Sequence, residues 1–485
     1  MLIGLYTSRV VLATLGEVDY GIYGVVGSIV AMMGFLNASM SGATSRFLTF
    51  ELGQGDRERL SRTFSSAMIV HIGIALVVFV VAETVGLWFL NHKLVIPVER
   101  MAAARWVFHL SVASAMLGIT QVPYNSAIIA HERMDVYAYV EILNSVLKLV
   151  IVFLLGIGGY DKLVLYAVLY FAVSVLIRGI YRVYCIRQFG ECHLIWHIDK
   201  EFLKPLLSFS GWTVYTEMAF AIRQSGVGFL LNMFFGIVYN AANGIANVVQ
   251  GVILTFSSNI VMAFRPQIIK AYATADYSRM NKLIGAAIKM TVLLLSIVTI
   301  PMCLNAEYVL GLWLAKVPQG AVFMTQVLLA LNLVNTVSYV LMCGIHASGQ
   351  MQLYSVLTGT VLLLSLCIMY ALLKMGGGYE VVFYTLFTMG FVVLIIYICT
   401  LKRNVAEFDI RTQFINTILP VFLIVLTSYF TTKLICVTMV GWKCFVVSSA
   451  LSTFILLSLF LMLLFNKNER IYLKNVIKSK LSRGS

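Results

Sequence analysis

Charge is scarce in this chain, and acid scarcer than base. Asp, Glu, Lys and Arg together make up 12% of 485 residues, with 21 acids against 35 bases. Soluble domains carry roughly twice that fraction of charge, so a water-soluble globule is excluded. Eight cysteines, Cys185, Cys192, Cys303, Cys343, Cys367, Cys399, Cys436 and Cys444, mostly stand singly in apolar runs without CxxC spacing, which supports neither a disulfide framework nor a zinc site. His193 and His197 lie near Cys192 but lack a second cysteine pair, so no metal is expected. A Walker GxxxxGK[ST] loop, an HExxH helix and a GxSxG elbow are all missing. The chain therefore reads as a non-enzyme without a cofactor, and any ATP-driven step would need a separate subunit.

What is abundant is apolar surface. Hydrophobic residues reach 60% and mean hydropathy is +0.91, more than a core of this length can hide, so the bilayer must cover the rest. Many apolar runs reach the roughly 20 residues that a helix needs to cross about 30 Å of hydrocarbon. Spans are expected near 20–50, 64–90, 105–130, 138–160, 162–189, 206–234, 237–268, 283–303, 318–346, 352–375, 379–401, 414–434 and 441–465. Run length and the lack of strand-like alternation exclude a β-barrel. Met1–Leu15 reads as a truncated first span rather than a signal peptide, because Arg9 sits in its middle and no basic lead-in precedes it. The expected fold is all-α and polytopic, with about 14 transmembrane helices.

The chain repeats itself. Gly21-Ile22-Tyr23 returns as Gly236-Ile237-Val238-Tyr239, and Arg46 followed by Asp56 returns as Arg265 followed by Asp276. Tyr124, His131 and Tyr137 return as Tyr339, His346 and Tyr354, and Gly158-Gly159-Tyr160-Asp161 as Gly377-Gly378-Tyr379-Glu380. Offsets of about 215 to 220 residues are far longer than a solenoid period. In an apolar chain they indicate two related lobes around one path. The expected division is 1–190 for an N-terminal six-helix lobe, 205–403 for a C-terminal one, and 413–485 for two extra helices and a basic tail.

Basic residues set the orientation. With the N-terminus inside, Arg57, Arg59, Arg62, Arg182, Arg187, Lys200, Lys204, Lys270, Arg279, Lys282, Lys402, Arg403, Arg411 and the tail from Lys467 to Arg483 all fall on the cytoplasmic side. Both termini are then cytoplasmic, and the repeat is parallel. The net charge of +14 follows from this topology and from attraction to anionic membrane lipids; no nucleic acid partner is implied.

Polar groups inside spans are costly in lipid and mark a cavity or a helix contact. Asn240, Asn243, Asn247 and Gln250 recur at steps of three, four and three, which puts four amides on one helix face; a cavity lining is favoured over packing. Its repeat partner runs through Tyr23, Gly27, Gly34, Asn37 and Ser41. Intramembrane charge is mainly basic: Arg9, Arg46, Lys148, Arg178, Arg223, Arg265 and Lys289 stand against Glu83, Glu141 and Glu217. Arg178, Arg265 and Lys289 are expected to snorkel to headgroups. Lys148 and Arg223 lie deeper and, with Arg46 and Arg265 nearer the mouth, are candidates for holding a pyrophosphate. One such contact is worth about 4 kcal/mol at an effective dielectric near 20. Glu217 lies mid-span, six residues from Arg223, about 600° around the helix, so the two are expected on different faces. Its carboxyl is a candidate for proton or sodium coupling, with a salt bridge to Lys148 or Arg9 as the alternative.

The run Leu5-Tyr6-Thr7-Ser8-Arg9-Val10-Val11-Leu12 with Leu15-Gly16, Asp19-Tyr20-Gly21-Ile22-Tyr23, Ser41-Gly42-Ala43-Thr44-Ser45-Arg46-Phe47, and Pro123-Tyr124-Asn125 with Ala130-His131-Glu132-Arg133-Met134 resembles bacterial polysaccharide flippases. These belong to the multidrug, oligosaccharidyl-lipid and polysaccharide exporter (MOP) superfamily. The resemblance implies two six-helix lobes around a central cavity in the bacterial cytoplasmic membrane. It also implies an undecaprenyl-pyrophosphate-linked oligosaccharide, moved by alternating access to the outer leaflet for O-antigen, capsule or exopolysaccharide assembly, and work beside a polymerase or ligase. Two rivals remain: a multidrug cation antiporter of the same superfamily, and a non-transport scaffold of a polysaccharide synthesis complex.

Overall fold

The computed structural model describes residues 10–464 apart from 12–13, 17–18, 20, 25, 27–33, 93–95, 156–160, 196–199, 315–316 and 438. The described residues form helices and no strand. In order these are α1 (Gly34–Gln54), α2 (Arg57–Val81), α3 (Met101–Ala130), α4 (Met134–Leu154), α5 (Lys162–Gln188), α6 (Lys200–Phe235) and α7 (Ile237–Ala273). There follow α8 (Tyr277–Leu304), the short α9 (Ala306–Trp313), α10 (Ala321–Ser348), α11 (Gln352–Lys374), α12 (Glu380–Asn404), α13 (Leu419–Ile435) and α14 (Gly441–Leu459). A π-turn, Ala82–Gly86, carries α2 on to His92. Twelve of the described helical segments are long and apolar enough to cross a membrane. Helix α1 adds the described part of the span expected at 20–50. Most of Met1–Leu15, Arg9 included, lies outside the described residues, as do Gly27 and Gly158-Gly159-Tyr160.

The repeated signatures have local physical causes. Asp56 and Asp276 are the N-caps of α2 and α8, their carboxylates accepting from the Arg59 N–H at 3.0 Å and the Arg279 N–H at 2.9 Å. Such a cap satisfies one of the free N–H groups of the first turn. The residue before each is left-handed: Gly55 at φ +80° and Ala275 at φ +57°. Likewise Glu132, after α3, and Gly349, after α10, are both left-handed, at φ +61° and +76°. The two halves thus share their turns, not only their helices. Gly236, at φ +84°, lets α6 turn directly into α7.

The chain divides into two compact units, Met1–Val214 and Tyr215–Ser485. In the first, Leu48 of α1, Phe64 of α2, Tyr124 and Ile128 of α3, and Ile177 and Tyr181 of α5 form a buried cluster. At the other end of these helices Arg100 binds Asp19 at 2.5 and 2.8 Å and Asp161 at 2.5 and 3.1 Å. Asp161 also caps α5 through the N–H groups of Leu163 and Val164. The Arg100 hydrogen bond, the largest influence, holds the Asp161 carboxyl below the usual carboxylate range.

In the second unit α10 is the central helix. Its faces are buried all round, Leu328, Asn332, Leu333, Val334, Thr336, Val337, Val340 and Leu341 among them, which places it inside a bundle. It contacts α7, α8 and α12. Polar pairs tie it to α7: Ser257 Oγ lies 2.9 Å from Thr336 Oγ1, Gln250 Nε2 donates to Asn332 Oδ1 at 3.2 Å, and Asn332 Nδ2 donates to the Gln250 carbonyl at 3.3 Å. Hydrogen bonds of this kind join helices where lipid offers no hydrophobic drive between them.

Candidate functional site

The direct turn at Gly236 folds α6 and α7 into a helical hairpin, so the polar face of α7 meets α6. Gln224 Nε2 of α6 donates to Asn247 Oδ1 of α7 at 3.0 Å. A pocket of about 20 Å³ between them is lined by Arg223, Gln224, Asn243, Asn247 and Gln250, with Leu328 and Leu331 behind; it has room for about one water. Asn240 is placed differently. Its Oδ1 would lie 3.1 Å from a Cβ at Gly228 of α6, so this amide serves the close approach of the two helices.

A larger cavity of about 140 Å³ shares Arg223 and Gln250 with that pocket and extends over Thr216, Glu217, Asn335, Tyr339, Tyr354 and Tyr397. Glu217 and Arg223 therefore line one cavity from different faces of α6. Six residues leave them about 120° apart around α6, yet the cavity wraps that helix from α7 across α10 to α12, and both side chains are long enough to reach it. Arg223 lies 5.0 Å from the Phe220 ring, and its Nε is buried with no hydrogen-bond partner among the described residues. Glu217 forms no salt bridge among the described residues; Arg9, one of the two partners named for it, lies outside them. The other two intramembrane acids have partners: Glu83 meets His109 Nδ1 at 2.8 Å, and Glu141 accepts from Tyr181 Oη at 3.4 Å. Tyr354 and Tyr397 share a hydroxyl hydrogen bond of 3.0 Å on the cavity wall.

Arg265, in the same unit, is not among the residues that line this cavity. Arg265 is fifteen residues beyond Gln250, about 22 Å along α7, where its Nη2 donates to His346 Nδ1 at 3.1 Å. Arg46 lies buried in α1 with its guanidinium 4.5 and 4.8 Å from the rings of Phe47 and Phe50. Lys148 in α4 sits 5.0 Å from the Tyr170 ring. Lys289 and Arg265 both have polar surroundings within the protein. Lys289 is 8% exposed and turns into a polar cavity of about 970 Å³ with Asn281, Lys282, Asp409 and Gln413, and Arg265 turns inward to His346. A sequence shows how deep a cation lies but not which way its stem points.

Sequence reasoning singled out Tyr339 and Tyr354 only as repeat markers and passed over Asn332, Asn335 and Tyr397. The first two tyrosines carried a signal, since a repeat signature inside a span is where a shared inner surface would lie. Tyr397 carried none.

The fold and this inner polar surface define a multi-pass helical membrane protein. A family described as "Polysaccharide biosynthesis protein" matches residues 1–262, and the chain belongs to that family. No curated protein matches it. Among solved structures it is similar to a MATE protein in the straight conformation, with a TM-score of 0.71 and 14% identity over 84% of this chain and 94% of that one. It is similar to an outward-facing multidrug resistance MATE family transporter of the MOP superfamily, with a TM-score of 0.71 and 15% identity over 84% and 92%. A MOP superfamily transporter from Pyrococcus furiosus, described as having a binding pocket of reverse polarity, matches with a TM-score of 0.63 and 14% identity over 84% and 90%. At these identities the likeness is one of fold: the chain has the fold of MOP-superfamily transporters.

Proposed function

We propose that this protein is a flippase of the bacterial cytoplasmic membrane, with both termini cytoplasmic. It would move a polyprenyl-pyrophosphate-linked oligosaccharide to the outer leaflet by alternating access. The observation that carries this reading is Arg223, a cation inside the fold of a transporter, lining a cavity with amides and tyrosine hydroxyls and keeping Nε free for an acceptor. A guanidinium suits pyrophosphate oxygens, and the Asn, Gln and Tyr groups suit sugar hydroxyls. Membership of a polysaccharide biosynthesis family supports the substrate class. Arg46, Lys148 and Arg265 are proposed as further contacts along the path, and Glu217 as the group that exchanges a proton or sodium ion.

A second reading, export of cationic drugs, is favoured by one feature. Glu217 faces the same cavity among Phe220, Tyr339 and Tyr397, an acidic and aromatic set that suits an organic cation. The protein in liposomes, given a labelled polyprenyl-pyrophosphate sugar or a fluorescent cation, separates the two: accumulation of the cation without flipping of the sugar lipid overturns the flippase reading. Movement of neither leaves a scaffold beside a polymerase or ligase.

A further inference from the structure

One hydrogen bond sets a register between the last two helices. Ser428 Oγ of α13 donates to the Ser452 carbonyl of α14 at 3.4 Å. One turn along, Thr432 and Ser448 are both fully buried; one turn back, so are Ile424 and Leu456, at 4% and 0% exposed. Each pair of numbers sums to 880, as an antiparallel seam read every four residues requires. The next pair in that series is Cys436 and Cys444. Cys436 ends α13, 6% exposed, and its carbonyl accepts from the Met439 N–H at 3.0 Å, closing the turn. Cys444 lies in the first turn of α14, opposite Cys436 in this register.

A second adjacent pair stands at the end of α5. Cys185 and Cys192 are 0% and 1% exposed and share one buried cluster, with the Phe189 N–H bonded to the Cys185 carbonyl at 2.8 Å. Counting spans from a cytoplasmic N-terminus puts this pair at the cytoplasmic side and the α13–α14 turn on the opposite side.

We propose that Cys436 and Cys444 form a disulfide that clamps α13 to α14 at the extracytoplasmic face, while Cys185 and Cys192 remain thiols. This rests on the orientation given under the proposed function, since disulfides persist outside the cytoplasm and not within it. The oxidant is an extracytoplasmic dithiol–disulfide exchange protein. One cysteine thiolate attacks a sulfur of its disulfide, giving a mixed disulfide and one released thiol; the second cysteine then displaces the other sulfur. The chain loses two electrons and two protons, and the exchange partner leaves as a dithiol. The half-buried Cys444 is the sulfur that solvent reaches, and so the one that attacks first.

The test uses the full chain in intact cells. Thiols are quenched with acid and blocked with N-ethylmaleimide, and the protein is then reduced and labelled with a polyethylene-glycol maleimide. Two labels per chain are expected in the natural sequence and in Cys185→Ser, and none in Cys436→Ser or Cys444→Ser. No label in the natural sequence overturns the disulfide, and so do labels that persist in Cys436→Ser but vanish in Cys185→Ser. Orientation is read separately by Val440→Cys, at a position 85% exposed, in a Cys436→Ser, Cys444→Ser background treated with a membrane-impermeant maleimide. Labelling there with no disulfide in the natural sequence overturns the disulfide alone. Absence of labelling there, with labelling after the cells are opened, overturns the orientation and the disulfide with it.

Discussion

Glu217 and Arg223 line the same cavity from one helix and do not form a salt bridge. Two opposite charges in a confined space that leave each other unpaired are held ready for other partners, since buried charge otherwise pairs. The carboxylate is suited to a cation or proton, the guanidinium to an anion. Glu217→Gln keeps the size of the side chain and removes only its ability to change charge. Transport in liposomes is expected to lose its dependence on the proton or sodium gradient while the variant purifies as the parent does; unchanged gradient dependence removes Glu217 from coupling.

Arg223 carries the second prediction. Losing a charge-assisted contact to pyrophosphate removes about 2 kcal/mol, roughly thirty-fold in rate or affinity. Arg223→Ala is expected to reduce flipping by that order without loss of membrane insertion, and Arg223→Lys to keep part of it, because the charge stays while the planar fork is lost. Cation export that survives Arg223→Ala but not Glu217→Gln would instead favour the drug-export reading. Arg46→Ala, Lys148→Ala and Arg265→Ala are measured beside it. Arg265→Ala also leaves His346 Nδ1 without its donor, so a loss of stability is expected there in addition.

How much of this was legible beforehand depended on range. The amide stripe on α7 was readable because helical periodicity is local, and three of its four members, Asn243, Asn247 and Gln250, line the small pocket. Asn240 could not be separated from them, since its packing role is set by Gly228 on another helix. Tyr397 stands 180 residues from Glu217 and enters the cavity only through the packing of α12 on α10; no spacing rule reaches that far. The ion cluster at Arg100 was missed for the same reason, its partners lying 81 and 61 residues away. The thiol pair Cys436 and Cys444 reads as two single cysteines until the register of α13 and α14 is known.

The repeated turns give a stability prediction. Gly55 and Ala275 occupy equivalent left-handed positions before the Asp N-caps of α2 and α8, but a Cβ in this conformation costs about 1 kcal/mol. Ala275→Gly is expected to raise the thermal midpoint of the detergent-solubilised protein, and Gly55→Ala to lower it. At Gly55 a Cβ meets nothing within 4 Å, so any loss there reports backbone strain alone.

The final prediction concerns pH. Asp161 has two roles, capping α5 and binding Arg100, and Arg100 holds its carboxyl below the ordinary value of 3.8. A group whose folded value is depressed stabilises the fold fully above its unfolded value, and that contribution is lost as pH falls through the folded one. The Asp161 contribution is therefore complete at neutral pH and disappears only below about pH 4. The pair is partly exposed, with side-chain exposures of 27% and 36%, so screening limits it to about 0.5–1 kcal/mol. Asparagine caps a helix about as well as aspartate but cannot pair with a cation. Asp161→Asn is thus expected to lower the thermal midpoint slightly at pH 7 and to flatten its decline below pH 4, whereas Asp161→Ala adds about 1 kcal/mol for the lost cap. Equal midpoints for Asn and Ala at pH 7 would mean that the cap contributes nothing and that the ion pair with Arg100 alone anchors the start of α5.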